Sequence, residues 1–426
     1  MDSLDEQITQ WRAYLRRRPA VDGPGGEDLD GRFRAHLTAL TATGLSEDEA
    51  FLVAVRRMGS PTDRSPGATR SEALIVLALA VAAGVAIKVP ALFGLVLGGV
   101  GSTFYARNMS LFVFPLLATY FLWTRRADGA IRLWVALPFV IGAVFANIFP
   151  FRTGGNTEVL TALHLPIALW LAVGLAYARS RWFDAASRMN FVRFSGELVI
   201  YYALIALGGG VFTGFTAMMF QSISINPEWL IGRWLIPCGA MGAVIIASWL
   251  VESKQRVIES MAPVLTRLFT PLFTLLLLVF LATMAVTGNP INVGREVLIG
   301  FDLLLVLVVG LVLYAASARD PEAPPNMFDR LQLLLVVCAL VVDGVALAAI
   351  AARISEFGFT PNRVAALGEN LILLVNLTWS AWLYASFLRG RGTFAALERW
   401  QVAYLPVYSA WAALVVVAFP PLFGYR

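Results

Sequence analysis

From residue 71 to its end the chain is a succession of apolar runs, each of about the twenty residues that one helical crossing of a hydrocarbon layer needs. They fall near 71–89, 106–124, 131–150, 158–178, 194–220, 228–251, 263–287, 298–317, 331–352, 363–388 and 400–423, which predicts about eleven spans. Residues 90–105 are apolar but shorter. They read as a re-entrant or interfacial piece, or as the first span continued past a bend at Pro90. Composition agrees: 58% of residues are hydrophobic and 14% charged, with mean hydropathy +0.71. Soluble chains are about half apolar and about a quarter charged. A soluble enzyme, a disordered chain and a fibrous repeat are excluded. The expected fold is all-α: a polytopic transmembrane helical bundle over 71–426, a linker at 63–70 and a small three-helix domain at 1–62.

Charge is distributed to match. Residues 1–70 hold 11 acidic and 10 basic side chains, leaving 17 acidic and 23 basic in the remainder. The basic excess therefore lies in short loops between spans, where it sets topology and offers no nucleic-acid surface. With the N-terminus inside, the inner loops carry most of the arginines and the outer loops few, which predicts a cytoplasmic N-terminus and an external C-terminus. No secretory leader is expected, because the first 70 residues are too polar for one. Cys238 and Cys338 sit singly in apolar runs, without the spacing of a zinc site or a disulfide framework.

Periodicity gives the head three helices. Leu4, Ile8, Trp11 and Leu15 form one stripe, Leu29, Phe33, Leu37 and Leu40 a second, and Phe51, Val55 and Met58 a third. Pro19 to Gly26 separates the first two, and Gly44 closes the second. Ser46 and Glu49 have capping-box spacing, and Gly59 and Pro61 end the third helix. Three helices of this length make a marginal core. The stretch "GLSEDEAFLVAVRRMGSP", residues 44–61, resembles permease prefix domain 1, akin to the HAAS-type heads of bacterial membrane proteins. That resemblance implies a cytoplasmic regulatory or assembly module, often found ahead of an ABC-type permease or beside a PadR-type regulator. Residues 1–62 are thus the candidate surface for a cytoplasmic protein partner, and the bundle is a candidate homo-oligomer within its lipid bilayer.

Ionisable groups at membrane depth are costly and need a reason. Here they are Lys88, His164, Glu197, Asp302, Asp343 and Glu369. The densest polar stretch is 352–377. Arg353, Glu356 and Arg363 flank a turn that Gly358 permits, Pro361 suits a helix start, and Glu369, Asn370 and Asn376 continue into the next span. The segment "ISEFGFTPNRVAALGENLILLVNL" resembles the bacterial membrane family DUF4153, which supports a multi-span fold and implies no activity. The candidate ligand or ion pathway comprises Lys88, Asp302, Asp343, Arg353, Glu356, Arg363, Glu369 and Asn370. In one reading Lys88, Arg353 and Arg363 face Asp302, Glu356 and Glu369 around an outward-open cavity that binds an ionic ligand or passes protons. In the other, the same charges pair as a structural clamp.

Small residues offer further expectations. Gly94/Gly98 and Gly210/Gly214 have GxxxG spacing for close helix contact, and Gly208–Gly210 is either tight packing or an unwound point. Trp182, Trp229, Trp234, Trp400, Tyr404 and Tyr425 sit near span ends as an aromatic belt. No P-loop, HExxH or GxSxG motif occurs, and two histidines give no zinc-protease set. No catalytic residue, metal site or cofactor is expected. The leading expectation is a bacterial inner-membrane transporter or permease-like protein with a regulatory head. The alternative is a non-transporting sensor that signals through the head to a transcription regulator. A membrane enzyme using Glu369 or Asp343 as acid or base is the third.

Overall fold

The computed structural model describes residues 35–42, 46, 49, 50, 53, 54, 66–99, 101–222, 226, 228–253, 261–287 and 295–426. It divides into two compact units, Met1–Ile75 and Val76–Arg426.

In the first unit residues 35–41 are helical with Leu37 buried, as the second stripe requires, and residues 49, 50, 53 and 54 are helical with Ala50 and Ala54 buried. The capping box forms. Ser46 N and Oγ donate to Glu49 Oε2 at 3.0 and 2.9 Å, and Glu49 N donates to Ser46 Oγ at 3.4 Å. The first stripe, Leu4 to Leu15, lies outside the described residues, as do Gly44, Phe51, Val55 and Met58. The backbone N–H and hydroxyl of Ser46 hold the Glu49 carboxyl below the usual glutamate range. A carboxyl with a depressed folded value contributes stability above its unfolded pKa and loses it as pH falls through the folded one. A carboxyl NMR titration of the full chain is expected to place Glu49 below ordinary glutamates, and Ser46→Ala, which removes the hydroxyl but keeps the backbone N–H, to move it part of the way back. An ordinary midpoint in the unsubstituted protein would contradict the cap.

Among the described residues there are eleven long helices, the first beginning in the first unit and the other ten lying wholly in the second. They are α1 (Pro66–Ala86), α2 (Ser102–Thr124), α3 (Gly129–Ile148), α4 (Asn156–Ala178), α5 (Ala185–Ser222), α6 (Glu228–Ser253), α7 (Met261–Thr287), α8 (Arg295–Ala318), α9 (Met327–Phe357), α10 (Pro361–Leu388) and α11 (Phe394–Leu422). No strand occurs among the described residues. Among the described residues ten helical runs are long and apolar enough to cross a membrane. α2 is equally long, but Arg107 and Asn108 dilute its apolar surface, so it is not among the ten. The chain is a multi-pass membrane protein of all-α class.

Local chemistry sets the helix limits. Asp128 Oδ1 accepts from Ile131 N at the start of α3, Asn326 and Asp329 form a capping box on α9, and Thr360 with Pro361 starts α10. Asp184 accepts from Ser187 N, which lets α5 begin nine residues before the expected 194. Residues 90–105 continue the first span as a 3₁₀ turn, Val89–Phe93, after which Gly94, Gly98 and Gly101 take positive φ. Gly94 and Gly98 are therefore turn residues and not a helix-contact pair. Gly208–Gly210 and Gly214 lie in continuous helix, and a Cβ on any of them meets nothing within 4 Å. That corrects both the packing and the unwinding expectation, since no neighbour approaches and the backbone ladder is unbroken.

Two apolar cores organise the helices. One gathers residues of α1 to α6 with Val416 of α11, and the other gathers α7 to α11 with the start of α5. Close approach is made elsewhere by glycine. A Cβ on Gly368 of α10 falls 2.1 Å from the Trp411 indole of α11, and one on Gly196 falls 2.5 Å from the Tyr314 ring.

Hydrogen bonds tie loops together at two ends. At one end Tyr105 OH donates to Leu95 O, Asn362 to Asn156, Arg152 N to Tyr425 O, and Thr157 N to Arg426 O. The Arg107–Glu158 ion pair lies here too, with Gly154 N donating to the same carboxylate at 2.7 Å. At the other end Arg125 pairs with Glu252 at 3.0 Å, Arg193 bonds Ser317 O, and Arg319 pairs with Asp329 at 2.8 Å.

Candidate functional site: a buried cluster of acceptors

Three helices of the second core bring polar groups together, Asp343 and Asn370 buried and Asp302 and Glu369 half-buried. Asp302 projects from α8, Asp343 from α9, and Glu369 and Asn370 from α10. Asp343 stands among Val342, Ala339 and Ala346, all of which, like Asp343 itself, are 0% exposed. At 1.5 Å rise per residue, the three helices place these groups about 10 to 20 Å below the loop at Gly358. A hydrocarbon core is about 30 Å thick, so the cluster lies well within it.

The hydrogen bonds are unevenly shared. Asn370 Nδ2 donates to Asp302 Oδ1 at 2.8 Å and to Ala366 O at 2.8 Å, which uses both of its amide protons. Asn370 Oδ1 accepts nothing, and neither Asp343 Oδ1 nor Asp343 Oδ2 has any partner. Asp302 acts electrostatically on both Asp343 and Glu369. The cluster thus holds carboxyl oxygens and an amide oxygen with no donor left to meet them. Unmet buried acceptors cost about 1–3 kcal/mol each, more if charged. The missing component is a donor or a cation. No charge from the third neighbour answers it: α7 carries only Arg267, near its far end.

The other expected pathway residues are placed elsewhere. Arg363 turns back on the hairpin, donating to Phe357 O at 3.1 Å and Gly358 O at 2.8 Å and lying over the Phe357 ring. It caps the end of α9. Glu356 is exposed and Arg353 half-buried, both on the last turns of α9. Lys88 is in the other core's half of the unit, its ammonium 4.9 Å from the Trp234 ring centroid. The expected ring of opposite charges is therefore divided: Asp302 and Glu369 come together between α8 and α10, Glu356 stays exposed, Lys88 lies over Trp234 and Arg363 on the backbone of its own hairpin. His164 is buried in α4, its Nδ1 2.9 Å from Leu160 O and its Nε2 without a partner. Glu197 is buried on α5.

Further along α10 lies a satisfied network that the spacing of Asn376 only hinted at. Trp400 Nε1 donates to Asn376 Oδ1 at 2.8 Å, Gln401 Nε2 to Ser380 Oγ at 2.6 Å, and Asn376 Nδ2 to Tyr408 OH. It clamps α10 to α11. Trp400 and the buried Tyr404, whose hydroxyl donates to Ile372 O, thus serve the bundle interior. Trp182 is buried too, against Gly174 and Phe191. These correct the belt expectation, while Trp229 and Trp234 do stand exposed. Gln332 of α9 donates to Thr270 of α7, and Asn108 and Asn147 exchange amide bonds between α2 and α3. Sequence reading missed these, because single amides in apolar runs carry no spacing signal.

Among the described residues no group of three His, Cys, Asp or Glu could hold a metal ion. Both cysteines are free. Compared with known proteins, the chain matches no family model, no curated protein and no solved structure.

Proposed function

We propose that this protein is a transporter or permease-like protein of the bacterial cytoplasmic membrane, driven by a proton carried at the Asp302–Asp343–Glu369–Asn370 cluster. The observation that supports it most is Asp343: a carboxyl wholly enclosed at membrane depth, with neither oxygen partnered. Such groups mark ion pathways and proton relays because nothing structural repays their cost. A proton is the cation that suits the geometry best. It needs one carboxyl oxygen and one acceptor, and Asn370 Oδ1 is an unfilled acceptor in the same cluster.

Orientation follows from the arginines. Arg125, Arg126, Arg179, Arg181, Arg319, Arg389 and Arg391 lie in the loops of one end, against Lys88, Arg107, Arg152, Arg353 and Arg363 at the other. The positive-inside rule makes the first end cytoplasmic, which leaves the cluster nearer the outer surface and the C-terminus outside. The N-terminal unit is then cytoplasmic. Its likeness to permease prefix domain 1 suits a regulated membrane carrier.

The test requires no knowledge of the cargo. Proteoliposomes on a solid-supported membrane are given a pH jump, and the transient charge displacement is recorded. The intact protein is expected to give a protein-dependent transient and Asp343→Asn to lose most of it, with Glu356→Gln retaining it. A sodium jump is run in parallel, and a response to sodium alone would replace the proton. Equal transients from the intact protein and Asp343→Asn would overturn the reading in favour of a non-transporting sensor.

A further inference from the structure

The first core carries a feature the proton site does not use. A groove of about 690 Å³ runs between α1 and α6, with Ile205 of α5 along one side. That volume lies within the range of small-molecule sites, about 300–1,000 Å³. Its floor is made by close backbone approach. A Cβ on Gly84 falls 3.2 Å from Cys238 Cβ, and Gly242 faces Ala80 O at 3.2 Å. Leu77, Val81 and Val85 line it while remaining exposed, so the groove opens sideways, where lipid chains lie.

One end differs from the rest. Lys88 closes the groove, and its ammonium lies over Trp234. Among the described residues no carboxylate is paired with it. Lys88 is one of only two lysines in the chain. Trp234 sits in a π-helical turn, Ile231–Leu235, a local departure often found at functional sites. An exposed tryptophan beside a lysine marks headgroup level. From Leu77 to Lys88 the groove extends about 16 Å along α1, and one leaflet of hydrocarbon is about 15 Å deep.

We infer that this groove is a binding site for an anionic phospholipid, one acyl chain lying between α1 and α6 and the phosphodiester on the Lys88 ammonium. Depth, apolar lining and an unanswered cation at one end together fit that molecule. A zwitterionic lipid offers Lys88 a phosphate already offset by its own ammonium, and a free phosphate leaves the groove empty. The site is independent of the proton cluster, being on different helices.

The test is native mass spectrometry of the full-length protein released from micelles holding equal amounts of phosphatidylglycerol and phosphatidylcholine with identical chains. One lysine near the headgroups contributes about fivefold in affinity, so the intact protein is expected to retain the anionic lipid about fivefold over the neutral one. Lys88→Met is expected to abolish that preference and Lys88→Arg to keep it. Gly239→Leu fills the groove where a Cβ meets nothing within 4 Å, and is expected to lose both lipids. Monodisperse elution and unchanged circular dichroism establish that each variant folds, and Lys88→Gln replaces Lys88→Met if it does not. Equal retention of both lipids by the intact protein overturns the site, as does a preference that survives Lys88→Met. A lipid-free dimer would give the groove to a second copy and overturn it likewise.

Discussion

Asp329→Ala is expected to destabilise the bundle by about 3–5 kcal/mol, the loss seen when one partner of a buried ion pair is removed. Asp329 is 2% exposed and serves two structures at once. Its carboxylate takes Arg319 Nε and Nη2 at 2.8 and 2.9 Å in a fork, and its Oδ2 also accepts from Asn326 N at 2.9 Å to complete the cap on α9. Arg319 is held further by Ala323 O and Pro324 O, and its guanidinium lies over the Phe387 and Phe394 rings. Alanine therefore strands a guanidinium enclosed by two aromatic rings and opens the first turn of α9. Asp329→Asn keeps an oxygen for the cap but loses the charged fork, and is expected to fall between the two. The measurement is unfolding of the purified protein by titration with a denaturing detergent. A change below about 1 kcal/mol for Asp329→Ala would mean that water reaches Arg319 and that the pair behaves as a surface bridge.

That pair also shows what was and was not legible beforehand. Helices were legible because each crossing repeats the same physical demand over some twenty residues, so their class followed from apolar length, and ten of the eleven expected runs meet that demand among the described residues. Helix ends were legible where a residue's own chemistry fixes its local backbone, as with the Ser46–Glu49 capping box, the positive φ of Gly358 and Pro361 at a helix start. Partners across helices were not. Arg319 and Asp329 are ten residues apart, on either side of the loop between α8 and α9, and nothing local links Arg319 to Phe387 and Phe394. Lys88 and Asp302 both read as outer-half ionisable groups, yet they belong to different cores, because depth along a span says nothing of rotation about it. Of the eight pathway candidates, Asp302, Asp343, Glu369 and Asn370 converge since they occupy inward faces of adjacent helices. Arg363 turns away because the open carbonyls at the end of α9 are nearer than any carboxylate. The GxxxG spacings misled for a related reason: glycine permits close approach, and only a neighbour such as Trp411 at Gly368 makes use of it.

Asp343 supplies a prediction in which stability and activity move apart. Asp343→Val puts an apolar side chain of similar size where two acceptor oxygens now stand unpartnered among Val342, Ala339 and Ala346. Replacing a buried polar group that lacks its bonds by an apolar one removes about 1–3 kcal/mol of unrecovered desolvation. The variant is therefore expected to resist detergent unfolding better than the intact protein by roughly that amount. The same substitution deletes the group proposed to carry the proton, so the pH-jump transient is expected to vanish. Natural sites keep such unfavourable groups where function needs them, at a cost in stability. A structural role for Asp343 predicts the reverse sign, because removing a carboxyl that holds α8, α9 and α10 together would loosen them. Asn370→Leu separates the two cases further. It strands Asp302 by taking away the amide that donates to it at 2.8 Å and also removes an acceptor of the proposed proton site, so it is expected to lower stability and weaken the pH-jump transient together. If Asp343→Val lowers stability as Asn370→Leu does, Asp343 has a partner in the membrane after all, and the proton assignment falls with it.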